Sequence, residues 1–294
     1  MARMILYLGS RTVQAAVGVC RGGRVRVRRL CGAELPEGCL INGLIADEAR
    51  LGEALAAFLR RERLPRRQAA LVLGGGQFVS RLLRLPHLPP AQLRAVVSHE
   101  LSAGSAAADP LDDYMLLDRD AARRTDTVLA TRVEKSVLDP YIALAHTLGL
   151  RLRTIDLAQA GLIRLVRALP EHSRRTFILL VFEGETFSAS LFENGQYKYA
   201  TRGRLFHPRG TAESAAEILQ KVSGMAQFQK TGANAPALTD LYFGGAAAGD
   251  LAVCAAGAAA LQLRCALFPP SPHVRLPAGW ALADCLYTAG SLMP

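Results

Sequence analysis

Short apolar runs and polar breaks follow one another in the same order twice along this chain. In the first half, residues 4–8 are apolar, Gly9-Ser10-Arg11 interrupts them, and residues 12–20 are apolar again. After Arg21-Gly22-Gly23, residues 24–30 alternate arginine with valine, the period-two pattern of a strand with one wet face. These runs predict an antiparallel meander. Pro36-Glu37-Gly38 and Asn42-Gly43 mark a long loop, and Asp47 is placed to cap a helix with Leu51, Leu55 and Leu59 on one face. Residues 69–73 form a short buried strand that Gly74-Gly75-Gly76 ends.

The second half repeats the scheme. Strands are predicted over 177–181 and 187–192, Asn194-Gly195 is a hairpin turn, and a third strand covers 196–200. A helix over 212–229 turns Ile218, Val222 and Met225 inward. A strand over 238–243, the Gly244-Gly245 turn, an alanine-rich helix and a strand over 264–268 complete it. Between the halves stands a different string: a strand at 78–85, a helix at 91–101, strands at 114–118 and 127–133, a helix at 138–148 ended by Gly149, and a strand at 151–156. A helix at 158–169 then leads back, and 170–173 reads as a linker. The duplication predicts an α/β, two-lobed actin-like fold built on ribonuclease-H-like lobes. Its first lobe would be 1–77 with 157–172, its inserted small α/β subdomain 78–156, and its second lobe 173–294.

Composition narrows the class. With 294 residues, half of them hydrophobic and only 6% aromatic, alanine, leucine and valine must build the core. No apolar stretch approaches the ~20 residues of a membrane span, and the first residues lead straight into a strand, which predicts a soluble, cytoplasmic chain. Six cysteines stand at no metal-ligand spacing and read as free thiols, and six scattered histidines read as structural or surface groups. The net charge of +10 has two readings: attraction to an anionic membrane surface or acidic partner, or arginine-rich solvated faces. The second is preferred, and no basic run is interleaved with the stacking aromatics of a nucleic-acid binder.

Two glycine hairpins and a later Gly-Gly turn are how an actin-like fold surrounds a nucleotide, with backbone N–H groups cradling phosphates. The candidate nucleotide residues are Gly9, Ser10 and Thr12 in the first turn, Gly184 and Thr186 in the second, and Gly244 and Gly245 in the third. No catalytic residue and no metal ligand stands out. Gly74-Gly75-Gly76 lacks the Gly-Lys-Ser/Thr of a P-loop. Asp112-Asp113 and Asp118-Arg119-Asp120 are expected at solvated loop ends. Ser98-His99-Glu100 is consecutive on a helix, so its side chains diverge and form no triad. Trp280 is expected to pack a C-terminal helix.

Several segments in order resemble the PilM family, the actin-like cytoplasmic component of type IV pilus assembly and a relative of the cell-division protein FtsA. They are Leu35-Pro36-Glu37-Gly38 with Asn42-Gly43-Leu44-Ile45-Ala46-Asp47, Val79-Ser80-Arg81-Leu82-Leu83-Arg84-Leu85-Pro86 with Glu100 beyond, Leu148-Gly149-Leu150 with Ile155-Asp156, then Asn194-Gly195, Thr201-Arg202, Glu217-Ile218 and Gly244-Gly245. The resemblance implies a scaffold at the cytoplasmic face of the inner membrane. Its partner would be the cytoplasmic N-terminal peptide of a PilN-like membrane protein, held in a groove between the first lobe and the insert, with the pilus motor ATPase beyond it and no nucleic acid. Arg81 and Leu83 are the candidate groove residues.

The resemblance also sharpens what the turns lack. The family has Asp where Tyr7 stands, Lys where Gln14 stands, and Asp where Phe182 stands. Without those acids and that lysine, Mg²⁺-ATP loses its main holding groups. Glu183 or Glu185 could serve only if the turn shifted by one residue. The expectation is therefore no cofactor, a degenerate pocket and a non-enzymatic scaffold. The rival is an actin-like ATPase whose nucleotide state controls platform assembly. An FtsA-like filament former would need a basic amphipathic tail, which the last residues do not offer. A sugar kinase of the same superfamily is more remote still.

Overall fold

A computed structural model describes residues 2–103, 108–231 and 235–294. Three antiparallel strands open the chain: β1 (Arg3–Leu8), β2 (Thr12–Arg21) and β3 (Arg24–Glu34). Val25, Val27 and Leu30 of β3 are buried while Arg24, Arg26 and Arg28 are exposed, as the alternation requires. The expected loop at Asn42-Gly43 is itself a small hairpin of β4 (Leu40–Ile41) and β5 (Leu44–Ile45). Both turn residues have positive φ (49° and 83°), which Asn and Gly tolerate. Asp47 caps α1 (Glu48–Arg61), accepting from the Arg50 N–H at 3.0 Å. β6 (Ala69–Leu73) then runs parallel to β1.

The middle of the chain divides differently from the expected 78–156 unit. β7 (Val79–Pro86), β8 (Pro110–Asp120) and β9 (Thr125–Glu134) form their own sheet in the order β7-β9-β8, covered on one face by α2 (Pro90–Ser102). The next helix, α3 (Lys135–Thr147), buries Tyr141, Leu144 and Ala145 in the same core as Leu51, Leu55 and Leu59 of α1. β10 (Leu152–Leu157) pairs parallel with β6, Ile155 opposite Leu71. Both elements belong to the first lobe, so the unit that stands apart is 79–134. Two parallel neighbours cannot be joined by a tight turn. The insert with α3 is the crossover between β6 and β10.

The second lobe follows α4 (Ala158–Ala168). It contains β11 (Phe177–Glu183), β12 (Thr186–Glu193), β13 (Gln196–Arg204), α5 (Ala212–Lys230), β14 (Asp240–Gly244), α6 (Ala248–Ala260) and β15 (Arg264–Leu267). Its sheet order is β13-β12-β11-β14-β15. The boundary 173–294 also needs correction, because the chain then returns to the first lobe. β16 (Val274–Arg275) adds to β3 and extends the first sheet to β10-β6-β1-β2-β3-β16. α7 (Leu286–Ser291) lies against α4 inside a core shared by both lobes. Trp280 precedes α7 in irregular chain, half-buried against that core.

Asp112, expected at a solvated loop end, lies within β8. It accepts from Arg132 (2.7 and 2.8 Å) and from the Ser98 hydroxyl (2.6 Å), tying α2 to its sheet. Arg132 holds the Asp112 carboxyl below its ordinary range. All six cysteines are free. Among the described residues no helix is long and apolar enough to cross a membrane.

Glycine sets the spacing of α4 and α7. A Cβ on Gly290 would stand 2.0 Å from the Gly161 carbonyl oxygen, and one on Gly161 would stand 2.5 Å from the Ser291 Oγ. Backbone cannot yield as a flexible side chain can, so the helices would have to separate. Gly290→Ala is expected to lower unfolding free energy by about 3 kcal/mol, read from the urea midpoint. An unchanged midpoint would show that the crossing tolerates wider spacing.

Candidate functional site

Two concavities meet the requirements of a ligand site, and the shared α4–α7 core lies between them. The first is the cleft where the β1–β2 and β11–β12 turns face each other. The turns touch: the Ser10 hydroxyl donates to the Glu183 carbonyl at 3.0 Å, and Thr186 donates to the same oxygen at 3.0 Å. Gly184, with φ of 69°, makes the tight reversal and faces Ser10 and Arg11. In the first turn the Gly9 N–H is used by the Thr12 carbonyl at 2.8 Å. The third turn is covered by the chain's own returning segment. Gly245 donates to the Ala283 carbonyl at 2.9 Å, and the space beside Gly244 holds Leu286. Arg209 lies 4.0 Å over the Phe182 ring, donates to the Gly245 carbonyl and pairs with buried Asp250.

The structure thus brings Gly9, Ser10, Gly184 and Thr186 together, places exposed Thr12 at their edge, and sets Gly244 and Gly245 behind Phe182. Cavities of about 510 and 710 Å³ open on either side of the touching turns. Tyr7 and Phe182 are buried, and the carboxylate between them, Glu183, is 5% exposed and paired with Arg202 at 3.0 Å. Glu185 pairs with Arg204 at 3.7 Å in solvent. Gln14 bridges to the returning segment, donating to the Asp284 carbonyl and accepting from Thr288. Among the described residues no cluster of three or more His, Cys, Asp or Glu side chains is arranged to hold a metal.

Sequence reasoning missed the tyrosine pair in this cleft. Tyr7 and Tyr287 rings lie 5.1 Å apart. Burial first, then the Glu183 carboxylate, pushes both phenols well above their ordinary range. The Tyr7 hydroxyl faces the Glu183 carboxylate, which adds to the upward shift, but meets no acceptor in full hydrogen-bond geometry.

The second concavity, of about 510 Å³, separates the three-stranded sheet from the first lobe. Met115 of β8, with Leu129, Thr131 and Val133 of β9, forms one wall. Ile155 to Leu157 of β10 and Gln159, Ala160 and Arg164 of α4 form the other. β8 and β10 are each the outer strand of a sheet, so each has one side without a neighbouring strand. Arg167 crosses the gap to the Leu116 carbonyl at 2.7 Å, and burial lowers its pKa despite Asp118. Asp156 pairs with Arg164, whose Nε is buried without a partner.

Arg81 and Leu83 do not line this groove. They pair with Ala130 and Val128, and those residues face α2. The Arg81 guanidinium reaches the Glu100 and Ala103 carbonyls there. Strand side chains alternate, so the groove takes the other set, beginning with Phe78 and Ser80. Thr131, opposite Ser80, was readable from that alternation once β9 was paired with β7.

With this geometry in hand, the chain is similar over 99% of its length to a chain of a PilM–PilN type IV pilus biogenesis complex (TM-score 0.79, 16% identity, 98% of that chain covered). It is also similar to a Bacteroides thetaiotaomicron protein with an actin-like ATPase fold and unknown function (TM-score 0.56, 9% identity, 99% of this chain and 95% of that one). A third likeness is to the cytoplasmic domain of EpsL, an inner-membrane component of the Vibrio cholerae type II secretion system (TM-score 0.52, 11% identity, 99% and 95%). No protein-family model and no curated protein sequence matches. At these identities the likeness shows the fold, and the fold is actin-like.

Tyr7→Phe removes a buried hydroxyl that faces Glu183 without full hydrogen-bond geometry. The variant is expected to be more stable than the parent by about 1 kcal/mol at neutral pH. The folded-state pKa of Tyr7 is raised, so parental stability is complete below pH ~10 and falls as pH rises above it, where the unfolded phenol ionises. Urea titrations across that range should show a shallower alkaline loss in the variant. A variant less stable at neutral pH would mean that the hydroxyl is bonded after all.

Proposed function

We propose that this chain is a PilM-like cytoplasmic scaffold of a type IV pilus or related secretion platform. It would lie at the cytoplasmic face of the inner membrane, attached through its partners. Its working site is the groove between β8 and β10. The occupant is the cytoplasmic N-terminal peptide of a PilN-like membrane protein, and the motor ATPase is a further partner of the assembled platform. The observation that carries this reading is a trough bounded by the outer strands of two sheets, with apolar Met115, Leu129, Val133 and Ile155 beside polar Thr131, Asp156 and Arg164. An extended peptide satisfies such an edge with its backbone and seats alternate side chains in the trough. The complex that contains the PilM chain and the EpsL domain support the placement in such a platform.

The interlobe cleft is read as a degenerate nucleotide pocket. Phosphate placed between the turns would meet the Glu183 carboxylate at close range, and the arginine that offsets it, Arg202, is already committed. Tyr7 and Phe182 supply no metal ligand. On this reading the cleft holds neither ATP nor Mg²⁺ and carries out no hydrolysis.

Titration with the cytoplasmic head of a neighbouring PilN-like protein should show saturable binding. Thr131→Arg, which places a long cation on the half-buried β9 wall, is expected to weaken it at least tenfold, about 1.4 kcal/mol, with little change in thermal midpoint. Arg81→Ala, on the opposite face, should bind like the parent. Equal loss in both variants would remove the groove from the account. Calorimetry with Mg²⁺-ATP should show no saturable heat in the micromolar range. Metal-dependent binding there would favour the ATPase reading instead.

A further inference from the structure

We propose that the strand-start end of the six-stranded sheet is a docking surface for an anionic phospholipid bilayer, a direct lipid contact beyond any tether through a partner protein. The arginines that look dispersed in the sequence converge there. Arg21 pairs with Arg24 across the β2–β3 turn, and Arg275 lies beside Arg26 in parallel register. β1, β6 and β10 all begin at the same end, Met4 and Leu152 both registering with Ala69. The Arg29 guanidinium reaches the Glu62 and Arg63 carbonyls, and the Arg151 N–H donates to the Arg66 carbonyl at 2.8 Å. Residues 21–29 and 60–67 thereby join 151–153 and 275 on one surface.

These segments hold thirteen arginines, all exposed, and one acid, Glu62, which Arg61 already pairs at 2.8 Å. Without them the chain keeps 22 basic and 24 acidic residues, a net charge of −2. The whole positive excess of the molecule, and more, sits at this end. Like charges gathered this closely repel one another, and an opposing sheet of phosphates relieves that repulsion. Guanidinium forks bind phosphate oxygens in pairs.

Nucleic acid is the weaker fit. The four segments contain no Phe, Tyr or Trp on which bases could stack, and the surface is made of strand residues, turns and only the last turn of α1, which offers no helix length to lie in a groove. The bilayer also agrees with the groove. β10 starts at this end and reaches the trough at Ile155. At about 3.3 Å per residue, the trough lies little more than ~10 Å inward. That last point rests on the groove reading; the charge argument does not.

Co-sedimentation of the full chain, without any peptide, tests the proposal. Vesicles of equal parts phosphatidylglycerol and phosphatidylcholine should carry it down at low salt, while pure phosphatidylcholine vesicles leave it in solution. Arg24→Ser, Arg26→Ser and Arg28→Ser together should cut the bound fraction constant at least about tenfold, with an unchanged thermal midpoint. Removing three exposed charges elsewhere, by Arg94→Ser, Lys221→Ser and Lys230→Ser together, should leave binding near the parental level. Equal binding to both vesicle types, equal loss in both triple variants, or retention on duplex DNA in preference to the anionic vesicles would overturn the proposal. Because no peptide is present, its failure leaves the groove untouched.

Discussion

The close crossing of α4 and α7 is the constraint from which the rest of this structure hangs. Gly161 and Gly290 let two backbones approach where any side chain would force them apart. That contact seats the returning C-terminal segment between the lobes, where Leu282, Leu286 and Tyr287 share a core with Ile5 of β1 and Leu179 of β11. The same helix α4 that α7 presses from within forms a wall of the outer groove. One packing decision therefore fixes two concavities, closing the inner one and shaping the outer one.

In the inner cleft the glycine turns are put to internal use. Their glycines and hydroxyls spend their donors on each other and on the returning segment. The cleft's buried Glu183 carboxylate is paired with Arg202 beside two phenols whose ionisation burial resists. The outer groove is the reverse. It is bounded by two outer strands, β8 and β10, and its lining mixes apolar side chains with Thr131, Asp156 and Arg164.

Much of the architecture was legible in the sequence because period and punctuation are local. The Arg–Val alternation of β3, the Asp47 cap and the Asn194-Gly195 turn each act within a few residues, and each stands where expected. What the sequence could not show is which sheet a strand joins. β10 follows an insert yet pairs with β6, and β16 follows the second lobe yet pairs with β3. The candidate groove residues failed for the same reason. Arg81 and Leu83 are one register step from the trough, and only the pairing with Ala130 and Val128 reveals the face they take. The turn residues Gly9, Ser10, Gly184 and Thr186 were placed together by pattern alone, whereas the Tyr7–Tyr287 contact spans almost the whole chain and left no local mark.

Backbone amide hydrogen exchange, with and without the partner's cytoplasmic peptide, tests the central claim most directly, because it reports which edges the ligand covers. The account predicts added protection along β8 and β10, with the turns at Gly9 and Gly184 unchanged. Protection confined to those two turns, with β8 and β10 exchanging as before, would contradict it.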